Sequence, residues 1–238
     1  MLDVERFSRP AMREQGVSFT STSDSEIIAA LLSTHLGVSC ALVRLSDAAI
    51  RPVDPNKGMD AVRLIAREHA EGKIKGVSFF PSGQNPPVPI NSKLAYPIYA
   101  KCCELNIPVF CTTGVPGPRI PLGPQKIELI DEVCYDFPEL KFVMRHGAEP
   151  WVDLAVKLLL KWPNLYYSTS AFAPRYWPRE IIDFANTRGS DKIIYAGYFP
   201  MGLTLDRIFT EMDAVPFKDE VWPKFLRDNA MKVLKLDA

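Results

Sequence analysis

The feature that most constrains the fold is a regular alternation of short apolar runs with segments of helical spacing. The apolar runs are 17–20, 39–45, 74–80, 107–113, 140–144, 165–170 and 192–197, with a short eighth candidate at 2–4. Strands that alternate with helices of about 10–15 residues form parallel sheets through right-handed crossovers. The sequence therefore predicts an α/β fold, a parallel (β/α)8 TIM-like barrel whose first strand is short or missing.

Nothing in the sequence divides this pattern. No internal repeat, linker or low-complexity tract interrupts the chain, so we expect a single barrel domain over residues 1–238. The length agrees with that expectation, because one such barrel typically needs about 250 residues.

The composition limits the kinds of partner that this chain can bind. The 28 basic residues balance 28 acidic ones, which argues against a nucleic acid or an anionic membrane as a partner. The longest apolar runs are too short to cross a bilayer, and the start lacks a basic and apolar leader pattern. Five cysteines without a C-x-x-C pair argue against a disulfide framework and a zinc site. We therefore expect a cytoplasmic protein that binds a small-molecule substrate, and the sequence leaves a homo-oligomer open.

The stretch 140–150 carries the first candidate for chemistry. A mostly apolar run ends in Arg145 and His146, Gly147 allows a tight turn, and Pro150 opens the next helical segment. In a (β/α) barrel the catalytic groups lie at the C-terminal ends of the strands. We predict His146 and Arg145 as catalytic residues; the alternative is a histidine that is only a hydrogen-bonded structural residue.

The other strand ends supply the rest of the predicted site. Tyr198, after Gly197 at a strand end, is the third predicted catalytic residue. The predicted substrate-binding residues are Arg44, Ser78, Phe80, Cys111, Thr112, Thr113 and Ser170. For Cys111, a buried apolar role is the stronger interpretation, because no second histidine is near in sequence to activate the thiol. Hydroxyl groups, guanidinium groups and one imidazole can bind a carboxylate and move a proton, but they are poor metal ligands.

Several segments share their order and spacing with a known family. They are 13–19, 108–114, 142–147, 164–170, 191–200 and 228–230. Together they resemble the amidohydrolase superfamily, and most closely its amidohydrolase-related group that includes aminocarboxymuconate semialdehyde decarboxylase. The resemblance implies a barrel fold and a hydrolase or decarboxylase activity.

The departures from that family concern its metal ligands. The family's first-strand His-x-His pair falls on Glu5 and Phe7, its fifth-strand histidine on Thr112, and its aspartate on Tyr198. His146 matches the family's sixth-strand histidine, which often transfers a proton. A divalent metal needs about three or four nitrogen, oxygen or sulfur ligands in place, so we expect no metal and no cofactor.

The predicted function is an amidohydrolase-like barrel enzyme, a hydrolase or lyase, that works without a metal. Acid–base chemistry at His146 would hydrolyse, decarboxylate or cleave a C–C bond in a small carboxylated or cyclic substrate. Arg145 or Arg44 would orient an anion, and Tyr198 would donate a hydrogen bond to a developing oxyanion. Two alternatives remain: a catalytically silent barrel that binds a small molecule or a partner, and a metal-dependent hydrolase or decarboxylase with non-standard ligands.

Overall fold

The computed structural model describes residues 50–197 and 202–236, which build a parallel sheet of six strands in chain order. The strands are β1 (Ile50–Pro52), β2 (Gly76–Phe79), β3 (Val109–Thr112), β4 (Phe142–Arg145), β5 (Leu165–Ser168) and β6 (Ile193–Ile194). The predicted elements before residue 50, together with Arg44 and Tyr198, lie outside the described residues.

Each of these strands is followed by a helix. The helices are α1 (Met59–Ala70), α2 (Tyr96–Leu105), α3 (Leu129–Asp136), α4 (Val152–Lys161), α5 (Arg179–Ala185), α6 (Leu205–Met212), α7 (Val221–Pro223) and α8 (Asn229–Leu234). One turn of π-helix, Lys224–Asp228, joins α7 to α8. Sequential parallel strands with a helix after each one are the architecture of a (β/α) barrel, as predicted.

The two faces of the sheet bury different residues. Val109, Phe142 and Leu165 belong to the larger core cluster, which also contains Ile65 of α1 and Ile130 of α3. This face therefore packs against the surrounding helices. On the opposite face, Phe110, Val143, Tyr166 and Ile194 form a second cluster with Val233 and Leu234 of α8. Because alternate residues of a strand point to opposite faces, this second face is the barrel interior.

The sixth strand is shorter than the predicted run 192–197. The N–H of Thr169, just after β5, still donates to the carbonyl of Ile194 at 3.2 Å, so the contact between the two strands reaches Ile194. The N–H of Tyr195 points away from β5 and donates to the carbonyl of Phe225 at 2.9 Å, so the C-terminal helical segment covers the other edge of β6.

Two proline-rich loops follow β2 and β3 and are tied to each other. Ser82 Oγ donates to the carbonyl of Pro121 at 2.7 Å, and the N–H of Ile90 donates to that of Pro124 at 2.9 Å. Both loops leave the C-terminal ends of their strands, where they form a joined wall beside the barrel mouth. In the part of the chain that the structure describes, no helix is long and apolar enough to cross a membrane.

Candidate active site

His146 lies just beyond the C-terminal end of β4, in a turn with unusual backbone geometry. Its φ is +63° and that of Gly147 is +77°, so two successive residues adopt the left-handed conformation. For a histidine this conformation costs about 1–2 kcal/mol, and such strain is often found at functional sites. The turn lifts the imidazole out of the strand ladder and places it at the barrel mouth.

Ser170, in the loop after β5, holds the imidazole from one side. Ser170 Oγ lies 3.1 Å from His146 Nδ1 and accepts a hydrogen bond from the His146 backbone N–H, also at 3.1 Å. The residue after the serine, Ala171, has a φ of +78°. Both partners of this contact therefore lie in turns with left-handed backbone, which brings residues from neighbouring strand ends together.

Arg145 contacts the imidazole from the other side. Its Nη2 atom lies 3.3 Å from His146 Nε2, so the guanidinium group is directed back towards the neighbouring ring. Burial and the positive charge of Arg145 lower the pKa of His146 to about 4, while a hydrogen bond with the backbone of Ser170 opposes that shift. At neutral pH the imidazole is therefore uncharged and carries a lone pair that can accept a proton.

The two threonines at the end of β3 have different surroundings. Thr113 is fully buried, and its Oγ1 donates to the carbonyl of Gly147 at 2.7 Å, with the carbonyl of Arg145 at 3.2 Å. It fixes the backbone on both sides of His146. Thr112 is paired with Arg145 in the ladder, so its side chain lies on the inner face beside that of Arg145.

The remaining predicted substrate-binding residues lie on β2, just after it and on β3. Ser78 is paired with Phe110 in the ladder and is buried on the inner face. The Phe80 ring lies against Gly83 of its own loop. Cys111 belongs to the helix-facing core and is fully buried, with a thiol pKa raised by burial. That is the position of a packing residue, which agrees with the stronger of the two interpretations of Cys111 and not with a contact to substrate.

Two apolar residues at the mouth were missed by the sequence analysis. Phe172 is 37% exposed, and its Cε2 lies 3.0 Å from the position that a Cβ atom on Gly147 would take. Val115 is 57% exposed, and its N–H donates to the carbonyl of Glu149 at 3.1 Å. These residues form an apolar rim next to the turn that carries His146. The available signal was an apolar residue in each of two otherwise polar or proline-rich loops.

The described residues do not fit a divalent metal site. They contain no group of three or more His, Cys, Asp or Glu residues that could hold a metal ion. The positively charged guanidinium group of Arg145 stands 3.3 Å from His146 Nε2, and it would repel a metal ion at that nitrogen. The buried thiol of Cys111 stays protonated, and Thr112 offers a neutral hydroxyl. The predicted absence of a metal nevertheless remains a prediction.

The strand ends of this parallel barrel thus bring an imidazole, a guanidinium group and hydroxyl groups to one face. The chain belongs to the amidohydrolase family, because the family model described as amidohydrolase matches residues 45–236. No curated protein matches the chain in sequence.

Solved structures of similar fold agree with this assignment. A TIM-barrel protein of Bordetella bronchiseptica, described as uncharacterized, is 23% identical with a TM-score of 0.71, over 97% of this chain and 84% of that one. The 2,6-dihydroxybenzoate decarboxylase from Rhizobium is 14% identical with a TM-score of 0.60, over 90% of this chain and 76% of that one. A dihydroxybenzoic acid decarboxylase from Polaromonas, solved with bound manganese and an inhibitor, is 16% identical with a TM-score of 0.55, over 78% of this chain and 67% of that one. At these identities the likeness establishes the barrel fold.

Proposed function

We propose that this chain is a metal-independent enzyme that uses acid–base chemistry on a small, ring-shaped carboxylate. The observation that carries the proposal is the uncharged His146 imidazole, held between Ser170 and Arg145 at the C-terminal end of β4. An uncharged imidazole can take a proton from a substrate or an attacking water and return it later in the reaction. Hydrolysis, decarboxylation and C–C cleavage are all compatible with such a group.

A carboxylate is the anion that we assign to Arg145. Its guanidinium group lies on the inner face at the end of β4, where its fork of donors suits a planar carboxylate. Thr112, beside it on the inner face, can add a hydroxyl donor. The proposal keeps the prediction that Tyr198 donates to a developing oxyanion, and that residue lies outside the described residues.

A ring-shaped substrate is supported by the apolar rim of Phe172 and Val115. Both side chains stay partly exposed next to the turn that carries His146. Apolar surface at this edge favours a flat ring over a fully polar substrate, and a ring stacked on Phe172 would gain about 0.5–1.5 kcal/mol from the aromatic contact. The dihydroxybenzoate decarboxylases of similar fold act on a substrate of this shape, which makes 2,6-dihydroxybenzoate the first probe.

The test combines metal analysis with an assay. Freshly purified protein and a His146→Asn variant are analysed for zinc, manganese and iron, and each is then incubated with 2,6-dihydroxybenzoate in EDTA and in MnCl2. We expect no stoichiometric metal, and carbon dioxide release in EDTA that the variant loses. Asparagine is the matched replacement because it tolerates the left-handed backbone.

Two results would overturn the proposal. Stoichiometric metal that is lost in His146→Asn, with turnover only in MnCl2, would establish a metal-dependent enzyme. Binding of the probe without conversion in either buffer, unchanged in the variant, would support the catalytically silent barrel.

A further inference from the structure

The N-terminal end of the barrel, opposite the candidate active site, is covered by α8. Val233 and Leu234 of this helix pack on the cluster of inner-face side chains. The start of the helix is fixed to β6, because Asn229 Nδ2 donates to the carbonyls of Ser190 at 2.7 Å and Ile193 at 2.8 Å. Apolar and polar contacts together therefore hold α8 across this end.

Three lysines meet beside this helix. The carbonyl of Lys141 accepts from the N–H of Val109 at 2.9 Å, so the ladder reaches Lys141 and its side chain lies on the inner face with that of Val143. Lys232 and Lys235 flank the buried pair of α8 and are exposed. Burial lowers the pKa of Lys141, and the positive charges of Lys235 and Lys232 lower it further. The three ammonium groups are thus close enough to repel one another.

No counter-charge balances these three lysines among the described residues. Elsewhere in the described part of the chain, a lysine amine often pairs with a carboxylate oxygen at 2.7 Å, as in Lys73 with Glu71, Lys161 with Asp131 and Lys224 with Asp191. Within that part, Lys141, Lys232 and Lys235 form no such pair. Like charges that converge without a partner destabilise the folded state, and a bound anion would remove that cost.

The other charged groups at this end are already engaged. Lys192 Nζ donates to three backbone carbonyls, so it has no free donor for a ligand. The carboxylate of Asp191 is held by Lys224, which is the main cause that lowers its pKa, and the charge of Lys232 lowers that pKa further. The charge of Asp191 is thus matched by Lys224, and an excess of positive charge remains around Lys141.

We propose that Lys141, Lys232 and Lys235 form a second binding site, at the N-terminal end of the barrel, for a small anion that carries two or more phosphate groups. Lys141 and His146 lie on opposite sides of β4, roughly 16 Å apart along an extended strand, so the two sites are separate. This inference goes beyond the proposed function and does not depend on it.

The choice of phosphate follows from the donors. A lysine ammonium group is a compact point charge that binds phosphate without the planar geometry that pairs arginine with a carboxylate. Phosphate oxygens are arranged as a tetrahedron, so they accept from donors that approach from different directions, as three separate side chains do. Three ammonium groups also match a diphosphate in charge, since each phosphate group brings about 1.5–2 negative charges at neutral pH.

A ligand site differs from a structural lysine cluster in what its removal does to the free protein. Methionine in place of any of the three lysines keeps an apolar stem and removes one of the repelling charges, so the free protein should be no less stable. The same change removes a donor to the anion, so the stabilisation that a bound anion provides should shrink.

The experiment is calorimetric titration of the full chain with sodium pyrophosphate, in EDTA and at constant ionic strength, with thermal unfolding in the same buffers. Orthophosphate and citrate are the comparison anions. Lys141→Met, Lys232→Met and Lys235→Met test the site, and Lys157→Met, at an exposed lysine on α4, is the control with the same change of net charge. Arg145→Met tests whether the anion binds in the candidate active site instead.

We expect one pyrophosphate per chain, and at least tenfold weaker binding of orthophosphate and of citrate. Each of the three lysine variants should bind pyrophosphate roughly tenfold more weakly, because a hydrogen bond to a charged group is lost. The rise in Tm that pyrophosphate causes should shrink with it. Lys157→Met and Arg145→Met should bind pyrophosphate like the wild type.

Three results would overturn the inference. They are pyrophosphate binding no tighter than that of orthophosphate or citrate, binding that survives in all three lysine variants or is lost in Arg145→Met, and a lower Tm of all three lysine variants without pyrophosphate. Co-sedimentation with vesicles that contain phosphatidylinositol bisphosphate, without binding of free pyrophosphate, would assign the phosphate groups to a lipid surface and reject the small ligand. None of these readouts involves turnover, so the outcome is separate from that of the assay with 2,6-dihydroxybenzoate.

Discussion

Two partly buried basic side chains at opposite ends of the sheet are held in different ways. His146 lies beyond the C-terminal end of β4, and Lys192 precedes the N-terminal end of β6. Burial is the main cause that lowers both pKa values, to about 4 for His146 and about 8 for Lys192. The cause is shared, so the difference lies in their partners.

Lys192 is satisfied by groups that cannot move away. Its Nζ donates to the backbone carbonyls of Trp162 at 2.8 Å, Pro163 at 2.5 Å and Leu165 at 3.2 Å. It also lies 5.5 Å from the centre of the Tyr166 ring. These acceptors favour the charged amine and close the end of α4, which is a structural role at the N-terminal face of the barrel.

Two side-chain partners of His146, by contrast, can reorient. Ser170 and Arg145 hold its two ring nitrogens through contacts of 3.1 Å and 3.3 Å. A rotation of either side chain changes the tautomer or the basicity of the ring. The comparison shows that a lowered pKa alone does not distinguish the two residues; the kinds of group that hold each one differ.

The largest expected effect is the loss of catalysis in His146→Asn. If the imidazole is the acid–base group, turnover should fall by about 10²–10⁴-fold, which is typical for the removal of such a group. The free energy of unfolding should change little at pH 7, because asparagine adopts the same backbone conformation. Steady-state kinetics and urea unfolding measure the two effects on the same samples.

Lys192→Met is the control at the other end of the sheet. At a temperature where it stays folded, its turnover should remain within about twofold of the wild type, since Lys192 has no part in acid–base chemistry. A comparable loss of turnover in both variants would remove the functional distinction between the two ends.

The next effect is on stability at acid pH. The unfolded chain binds a proton at a histidine near pH 6.5, whereas folded His146 does so only near pH 4. Between these values the unfolded state carries more protons, so wild-type stability should fall as the pH drops from 6.5 to 4 and then level off. The full loss is about 3 kcal/mol. Subtracting the unfolding curve of His146→Asn, measured at each pH, isolates this contribution, and identical curves would contradict the buried, uncharged imidazole.

The strands and helices around this site could be predicted because they depend on local patterns. The apolar run 140–144 predicted β4 to within two residues of its observed bounds. The position of His146 at a strand end followed directly. The partners of the imidazole could not be predicted from the sequence. Ser170 is 24 residues away, and its approach depends on the left-handed turn at Ala171.

The sequence also did not predict which face of the sheet each strand residue lies on. In an apolar run without alternation, nothing indicates which residues face the helices, and a shift of one residue inverts every assignment. Cys111 and Thr112 are adjacent, yet only Thr112 lies on the inner face. In the same way, the sequence assigned Arg145 to a substrate anion but did not predict its contact with His146.

A smaller effect on the free energy of unfolding should show how much the backbone carbonyl partners of Lys192 contribute to stability. Lys192→Met keeps the length of the side chain but leaves three carbonyl oxygens without their donor, so the free energy of unfolding should fall by about 2 kcal/mol. Lys161→Met is the matched variant, because its amine is exposed, pairs with Asp131 and lies 4.8 Å from the centre of the Trp162 ring. It should lose less than about 1 kcal/mol. Thermal unfolding of both decides the comparison, and equal losses would mean that the carbonyl contacts contribute nothing special.

The pH dependence of stability in the alkaline range should also report on Lys192. The folded amine loses its proton near pH 8 and the unfolded one near pH 10.5. Between these values the unfolded state holds more protons, so stability should rise with pH across this window in the wild type and stay flat in Lys192→Met. The window lies on the other side of neutrality from that of His146, so one pH series separates the two residues.

The smallest expected effect tests whether the turn at the C-terminal end is shaped for a ligand. Gly147→Ala and Gly72→Ala place alanine at similar positive φ values, +77° and +69°, and each should lose about 1–2 kcal/mol of stability. Only at Gly147 would the new Cβ meet neighbours, 2.1 Å from Glu149 Oε2 and 3.0 Å from Phe172 Cε2, whereas Gly72 has nothing within 4 Å. Because Phe172 must then move, Gly147→Ala alone should weaken binding of 2,6-dihydroxybenzoate, by roughly tenfold if the ring contact is lost. Calorimetric titration of both variants measures this, and equal affinities would place the substrate ring away from Phe172.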